Sequence, residues 1–137
     1  MAHVYDSFRN YLAVGSANLS SVTIKAALVN TLANVASGYV FSAAHTTLAD
    51  VPAVAIQATG TLSNVAVSSG RVNADDIAIA DVTGGNINAV ILYVSTANSS
   101  TSPLIFIQSD GTGFPTTPDG GTINVKWANS DPFILKV

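Results

Sequence analysis

The chain has 137 residues, one domain's worth, and only 9% of them are charged, against roughly 25% in ordinary soluble domains. Hydrophobic residues reach 48% and the mean hydropathy is +0.43, which supplies a core and excludes intrinsic disorder. Five Lys and Arg against eight Asp give a net charge of -3, so the chain is not expected to bind nucleic acid, whose phosphates are held by clustered cations.

The chain has no cysteine, which removes disulfides, thiol nucleophiles and thiolate metal sites. No run of roughly 18 apolar residues suits a membrane span. The first six residues, Met1 to Asp6, lack the basic and apolar regions of a secretory signal, and none is expected. All acidic residues are Asp. The remaining polar residues are mostly Ser, Thr, Asn and Gly, the surface of a β-rich protein with neutral hydrogen-bonding groups.

The chain opens with a helical pattern. Val4, Phe8, Tyr11 and Leu12 recur at i, i+4, i+7 and i+8, one stripe of a helix within residues 1–14, and Gly15-Ser16 stops it. This stripe either packs on the chain's own sheet or meets another subunit. From residue 21 onward the pattern is β. Residues 22–29 predict a first strand, with Val22, Ile24, Ala26 and Leu28 on one face. Tyr39 to Phe41 reads as a short strand or a loop anchor. His45 to Pro52 is turn-like, with Pro52 holding Val51 extended.

Residues 54–58 and 61–67 predict two strands split by Gly60, followed by a turn at Ser68-Ser-Gly70. Residues 71–80 alternate at Ile77 and Ile79, as in a half-buried strand or a bent strand pair. Gly84-Gly85 ends that pattern. Ile87 to Val94 predicts a central strand buried on both faces, and Leu104 to Gln108 a second, the two forming an antiparallel hairpin across a polar loop. A turn-rich connection over 110–121 leads to Thr122–Trp127, with Ile123, Val125 and Trp127 on one face, and a last strand lies at Phe133–Leu135. The expected fold is therefore mainly β: an antiparallel β-sandwich or barrel over residues 21–137 with one short N-terminal helix, all one domain.

Candidate chemistry is sparse. Asp75-Asp76 could hold a divalent cation or act as acid and base, but neighbours on a strand point to opposite faces, and a turn with solvated carboxylates is expected instead. His45 and Asp50 could form a dyad, yet no Gly-x-Ser-x-Gly elbow accompanies them, and His45 is expected to cap a turn. His3 is assigned no role. The glycines after Asp110 and Asp119 read as turns, because neither a calcium-loop order nor a following helix is present. No catalytic residue, metal site or cofactor is predicted.

Several segments, in order, resemble a family of small structural proteins of tailed bacteriophages. They are Tyr5-Asp6, Thr23–Val29, His45–Val51, Ala74–Ile77, Ala89–Tyr93, Ser102–Ile107, Pro118–Ile123 and Val125–Trp127. Some members of that family resemble capsid decoration, or cement, proteins. The resemblance implies a non-enzymatic virion protein on the outer surface of the head. Its partner would be the major capsid protein, and it would form a homo-oligomer, a dimer or trimer, with no nucleic-acid or membrane partner. Where such relatives often carry charge after the central-strand Tyr, this chain has the neutral Val94–Asn98.

The candidates for self-association or docking are Val4, Phe8, Tyr11 and Leu12. Other expectations are a tail, neck or fibre-base protein, or a carbohydrate-binding β-sandwich using Tyr39, Phe41 and Phe114.

Overall fold

The computed structural model describes residues 2–15, 18–31, 38–110, 113–128 and 134–136. In chain order the elements are β1 (Ala2–Val4), α1 (Asp6–Ala13), β2 (Ile24–Val29), β3 (Ile56–Thr61), β4 (Ala66–Ser68), β5 (Arg71–Asn73), β6 (Ile77–Ile79), β7 (Ala89–Val94), β8 (Leu104–Gln108), β9 (Ile123–Val125) and β10 (Leu135–Lys136). The fold is mainly β with antiparallel pairing and one N-terminal α-helix, as the sequence pattern predicts. The sheets do not close among the described residues, so the arrangement is sandwich-like rather than a barrel.

A five-stranded antiparallel sheet in the order β1-β8-β7-β2-β3 forms the centre. Alternation along β2 and β7 sends side chains to both faces, and both faces are buried. Ile24, Ala26, Leu28, Val90 and Leu92 join one core; Ala27, Val29, Ala89, Ile91 and Tyr93 join the other. Such two-sided burial explains why Ile87–Val94 and Leu104–Gln108 read as near-continuous apolar runs. In β8 the pairing slips, with Leu92 opposite Phe106 but Tyr93 opposite Leu104. Ile105 is the extra residue of a bulge, which puts Ile105 and Phe106 together on the first face and leaves Leu104 and Ile107 on the second.

The first face is covered by regular elements. These are a three-stranded sheet, β10-β5-β4, a two-stranded sheet, β6-β9, and α1. The second face is covered by the strap of residues 38–56, which has two short 3₁₀ turns, Leu48–Asp50 and Ala53–Ala55, but no long strand.

Several boundaries differ from the sequence expectation. The helix does not fill residues 1–14: Ala2–Val4 is an edge strand pairing with Phe106–Gln108, and Tyr5 is extended at φ −63°, ψ 142° before α1 begins. Val22 lies outside β2. Gly60 does not split two strands, because β3 runs through it with Ala26 as its partner. A Cβ at Gly60 would lie 3.0 Å from Ile77 Cγ2 and Ile79 Cδ1, so the glycine marks a close approach of β6 rather than a turn. Residues 71–80 take the second of the two expected forms, a bent strand pair, β5 and β6, separated by Ala74-Asp75-Asp76. At the end of the chain, Phe133 lies outside the described residues.

Candidate functional site

The four residues of the predicted contact stripe have different surroundings. Val4, 8% exposed, and Phe8, 1% exposed, lie in the first core, and Leu12 is half-buried against it. Only Tyr11, at 39%, is exposed, and Val14 beyond it is 65% exposed. A helix has 3.6 residues per turn, so Phe8 and Leu12 anchor one side while Tyr11 and Val14 share another that faces solvent. Val14 was missed as a candidate because it falls just past the apolar stripe, where the pattern marks only the inward side.

The carboxylates and histidines singled out by sequence hold loops together. Asp75 and Asp76 do not converge. Asn64 Nδ2 donates to Asp75 Oδ2 (2.6 Å), and the Asp75 amide donates to the Ser63 carbonyl (3.0 Å). The Trp127 amide donates to Asp76 Oδ1 (2.9 Å), while its indole N–H donates to the Asp75 carbonyl (3.1 Å). The pair thus ties the approach to β4 and the end of β9 to the β5–β6 bend.

His45 and Asp50 are not hydrogen-bonded as a dyad. Asp50 Oδ2 accepts the amides of Thr46 (2.8 Å) and Thr47 (3.3 Å), completing a capping box with Thr47. The Thr46 amide is the main reason the Asp50 carboxyl lies below its ordinary value; burial opposes it, and the Thr47 amide and the His45 ring add further lowering.

His45 instead ends a buried chain of hydroxyls that sequence reasoning did not find. Tyr5 Oη lies 3.0 Å from Tyr39 Oη, and Tyr39 Oη lies 2.7 Å from His45 Nδ1. Tyr5 and Tyr39 are both buried. Every donor is satisfied when Tyr5 donates to Tyr39 and Tyr39 donates to the ring nitrogen. Burial raises the Tyr5 hydroxyl above its ordinary value, helped by its bond to Tyr39. Burial also raises Tyr39, partly offset by the Tyr5 hydroxyl and the Ser42 amide. Thirty-four residues separate the two tyrosines, so no local spacing could have announced the pair. Phe41 packs over it, 5.7 Å from the Tyr5 ring and 5.2 Å from the His3 ring.

The aromatic residues proposed for carbohydrate contact do not line one groove. Tyr39 is buried, and Phe41 packs on the second core while Phe114 packs on the first, across the central sheet. A cleft of about 600 Å³ does open beside Phe114, lined by Leu28, Val90, Ile123, Val125 and Trp127. Among the described residues its polar lining includes Gln108, Asn124, Lys126 and Thr116, with no carboxylate or imidazole. No group of three or more His, Asp or Cys residues that could hold a metal ion occurs among the described residues.

No protein-family model matches the chain, and no curated protein matches it in sequence.

Proposed function

We propose that the chain is a capsid decoration protein of a tailed bacteriophage, a non-enzymatic cement that binds the major capsid protein on the outer surface of the head. The reading is supported by the ordered resemblance of its segments to small virion proteins and by a composition in which only 9% of residues are charged. The observation that carries it is the exposed apolar side of α1. Tyr11 and Val14 stand in solvent on a helix held from behind by Phe8 and Leu12. A small apolar contact of this kind is weak alone, but repeated over a lattice by linked copies it becomes tight through effective concentration.

Immunogold electron microscopy of intact particles, with antibody raised against the recombinant chain, tests the reading. Label spread evenly over the head is expected. Label confined to the tail, neck or vertex would move the protein to a tail or fibre-base role, and unlabelled particles would overturn a virion role. Tyr11→Asp is the informative variant for the contact itself, since it should abolish head binding while the fold persists. Phe8→Asp would place a carboxylate in the core and report only on folding.

A further inference from the structure

We infer that two copies of this chain pair through the outer edge of β4, forming a continuous six-stranded sheet in the order β10-β5-β4-β4-β5-β10 across a two-fold axis at Val67. Among the described residues β4 is the last strand of its sheet and pairs only with β5, with Ala66 opposite Asn73, Val67 opposite Val72 and Ser68 opposite Arg71. The connecting turn is Ser69-Gly70, with φ of +52° and +75°, as in a two-residue type I′ hairpin. In such a hairpin the residues flanking the turn, Ser68 and Arg71, exchange hydrogen bonds, and so do Ala66 and Asn73 two residues on. The N–H and C=O of Val67 then point away from β5, toward the free edge. No hydrogen bond from another described element meets them.

Apart from its short length of three residues, β4 carries none of the usual protections of such an edge among the described residues. Proteins blunt exposed strand edges with Lys, Pro, a bulge or a covering segment. Residues 63–70, Ser-Asn-Val-Ala-Val-Ser-Ser-Gly, contain none of these charges and no proline, and the β4–β5 register has no shift. The β3 edge of the central five-stranded sheet differs, because β3 is closely approached by Ile77 and Ile79 at Gly60.

The side chains also suit a second copy. Val67 lies on the same face as its partner Val72, which is buried in the first core. Val67 itself is 47% exposed, since no further strand of the described residues flanks it. Antiparallel pairing about Val67 sets Val67 against Val67 of the second copy and extends that apolar layer. The two would exchange a pair of N–H···O bonds, and Ala66 would face Ser68.

Charge favours the same orientation. Arg71 lies at the turn end of the hairpin and Asp75 at the other end, beside Asn64. Antiparallel pairing turns the Arg71 end of each copy toward the Asp75 end of the other, so the ends that face one another carry opposite charge. A parallel arrangement would instead match like with like. An isologous two-fold contact closes on itself and gives a dimer, not a fibre.

This inference does not depend on where the protein acts, so it is tested on the isolated full-length chain. Sedimentation equilibrium over a range of concentrations should show a monomer–dimer equilibrium. Val67→Lys places two ammonium groups opposite one another and should weaken the dimer at least tenfold, with an unchanged circular dichroism spectrum. Because the natural chain has no cysteine, Val67→Cys should be converted to a covalent dimer by a short bis-maleimide, while Val22→Cys and Val54→Cys, at other exposed valines, should not. A wild-type chain that stays monomeric at every concentration would overturn the inference. So would a Val67→Lys dimer as tight as wild type, or one lost instead in Tyr11→Asp, which would place association on α1.

Discussion

The two faces of the central sheet are covered by different means. On the first face, β5, β6 and β9 lay Val72, Ile77, Ile79, Ile123 and Val125 against Leu28, Val90 and Leu92. Their backbone polar groups are satisfied largely by ladders, so the covering residues need only be apolar and of suitable size. On the second face the strap of residues 38–56 has no ladder of its own, and its backbone must find partners individually. The Leu104 amide donates to the Thr46 carbonyl (3.0 Å), the Leu48 amide donates to the Ser102 carbonyl (2.9 Å) and the Asn30 amide donates to the Ala55 carbonyl (2.8 Å). Side chains supply the rest: the Tyr5–Tyr39–His45 chain and the Asp50 cap. A sheet layer is thus held mainly by volume, whereas a strap is held by particular hydrogen bonds.

Truncation of adjacent residues on β7 sharpens this contrast most strongly. Leu92 faces the sheet layer and Ile91 the strap, and both are nearly inaccessible to solvent. Leu92→Ala and Ile91→Ala should each destabilise the protein, within the range of about 2–5 kcal/mol typical for buried aliphatic truncations. Leu92→Ala should lie at the upper end, because hydrogen-bonded strands cannot settle into the cavity, and Ile91→Ala lower, because a strap can. Equal losses in urea unfolding would mean that the strap is as rigid as the sheets. Gly60→Val tests the sheet layer in the opposite direction, since its Cβ would press on Ile77 and Ile79. Its expected cost is about 1–3 kcal/mol from overpacking.

The tyrosine pair tests the strap. Tyr39→Phe leaves the Tyr5 hydroxyl buried without its acceptor, and the expected loss is about 1–3 kcal/mol. The double variant Tyr5→Phe, Tyr39→Phe removes both groups and should recover part of that loss in thermal unfolding. If the double variant is worse than the sum of the singles, the pair is not acting as a donor and its acceptor. The pH dependence follows from the same bonds. Both hydroxyls lie above the ordinary tyrosine value of 10.0 in the folded chain, so the folded state keeps protons that the unfolded chain releases. Their contribution is complete below pH 10 and declines as pH rises further. The double variant should flatten this alkaline loss, with a remainder from Tyr93, which burial also raises.

The same contrast explains what could be read from the sequence. The central strands were legible because burial on both faces leaves long apolar runs, and β6 and β9 because Ile77, Ile79, Ile123 and Val125 alternate. The strap was not, since its determinants are single polar contacts between distant residues, such as Thr46 with Leu104. Gly60 read as a break because glycine usually punctuates a strand; its close neighbours come from β6, which one-dimensional pattern cannot reveal. On α1, periodicity gave the apolar stripe, but an inward stripe and a contact stripe have the same spacing. Only the burial of Val4 and Phe8 separates them from Tyr11. The proposed edge of β4 was equally hidden, since a free edge is a property of pairing rather than of composition.

The smallest effect belongs to the cap at the centre of the strap. Asp50→Ala removes the acceptor of the Thr46 and Thr47 amides, and loss of such a cap costs about 1 kcal/mol. The carboxyl lies below its ordinary value of 3.8 in the folded chain, so the folded state favours the ionised form. The stabilisation is therefore complete above the ordinary value and disappears as pH falls through the lower, folded one. Unfolding curves of wild type and Asp50→Ala should differ at neutral pH and converge in acid. Asp50→Asn separates charge from geometry, since its amide oxygen can still accept a hydrogen bond. It should recover part of the loss at neutral pH and show none of the acid dependence. A constant gap between wild type and Asp50→Ala through the acid range would mean that Asp50 acts through packing, and the strap would then resemble the sheet layer after all.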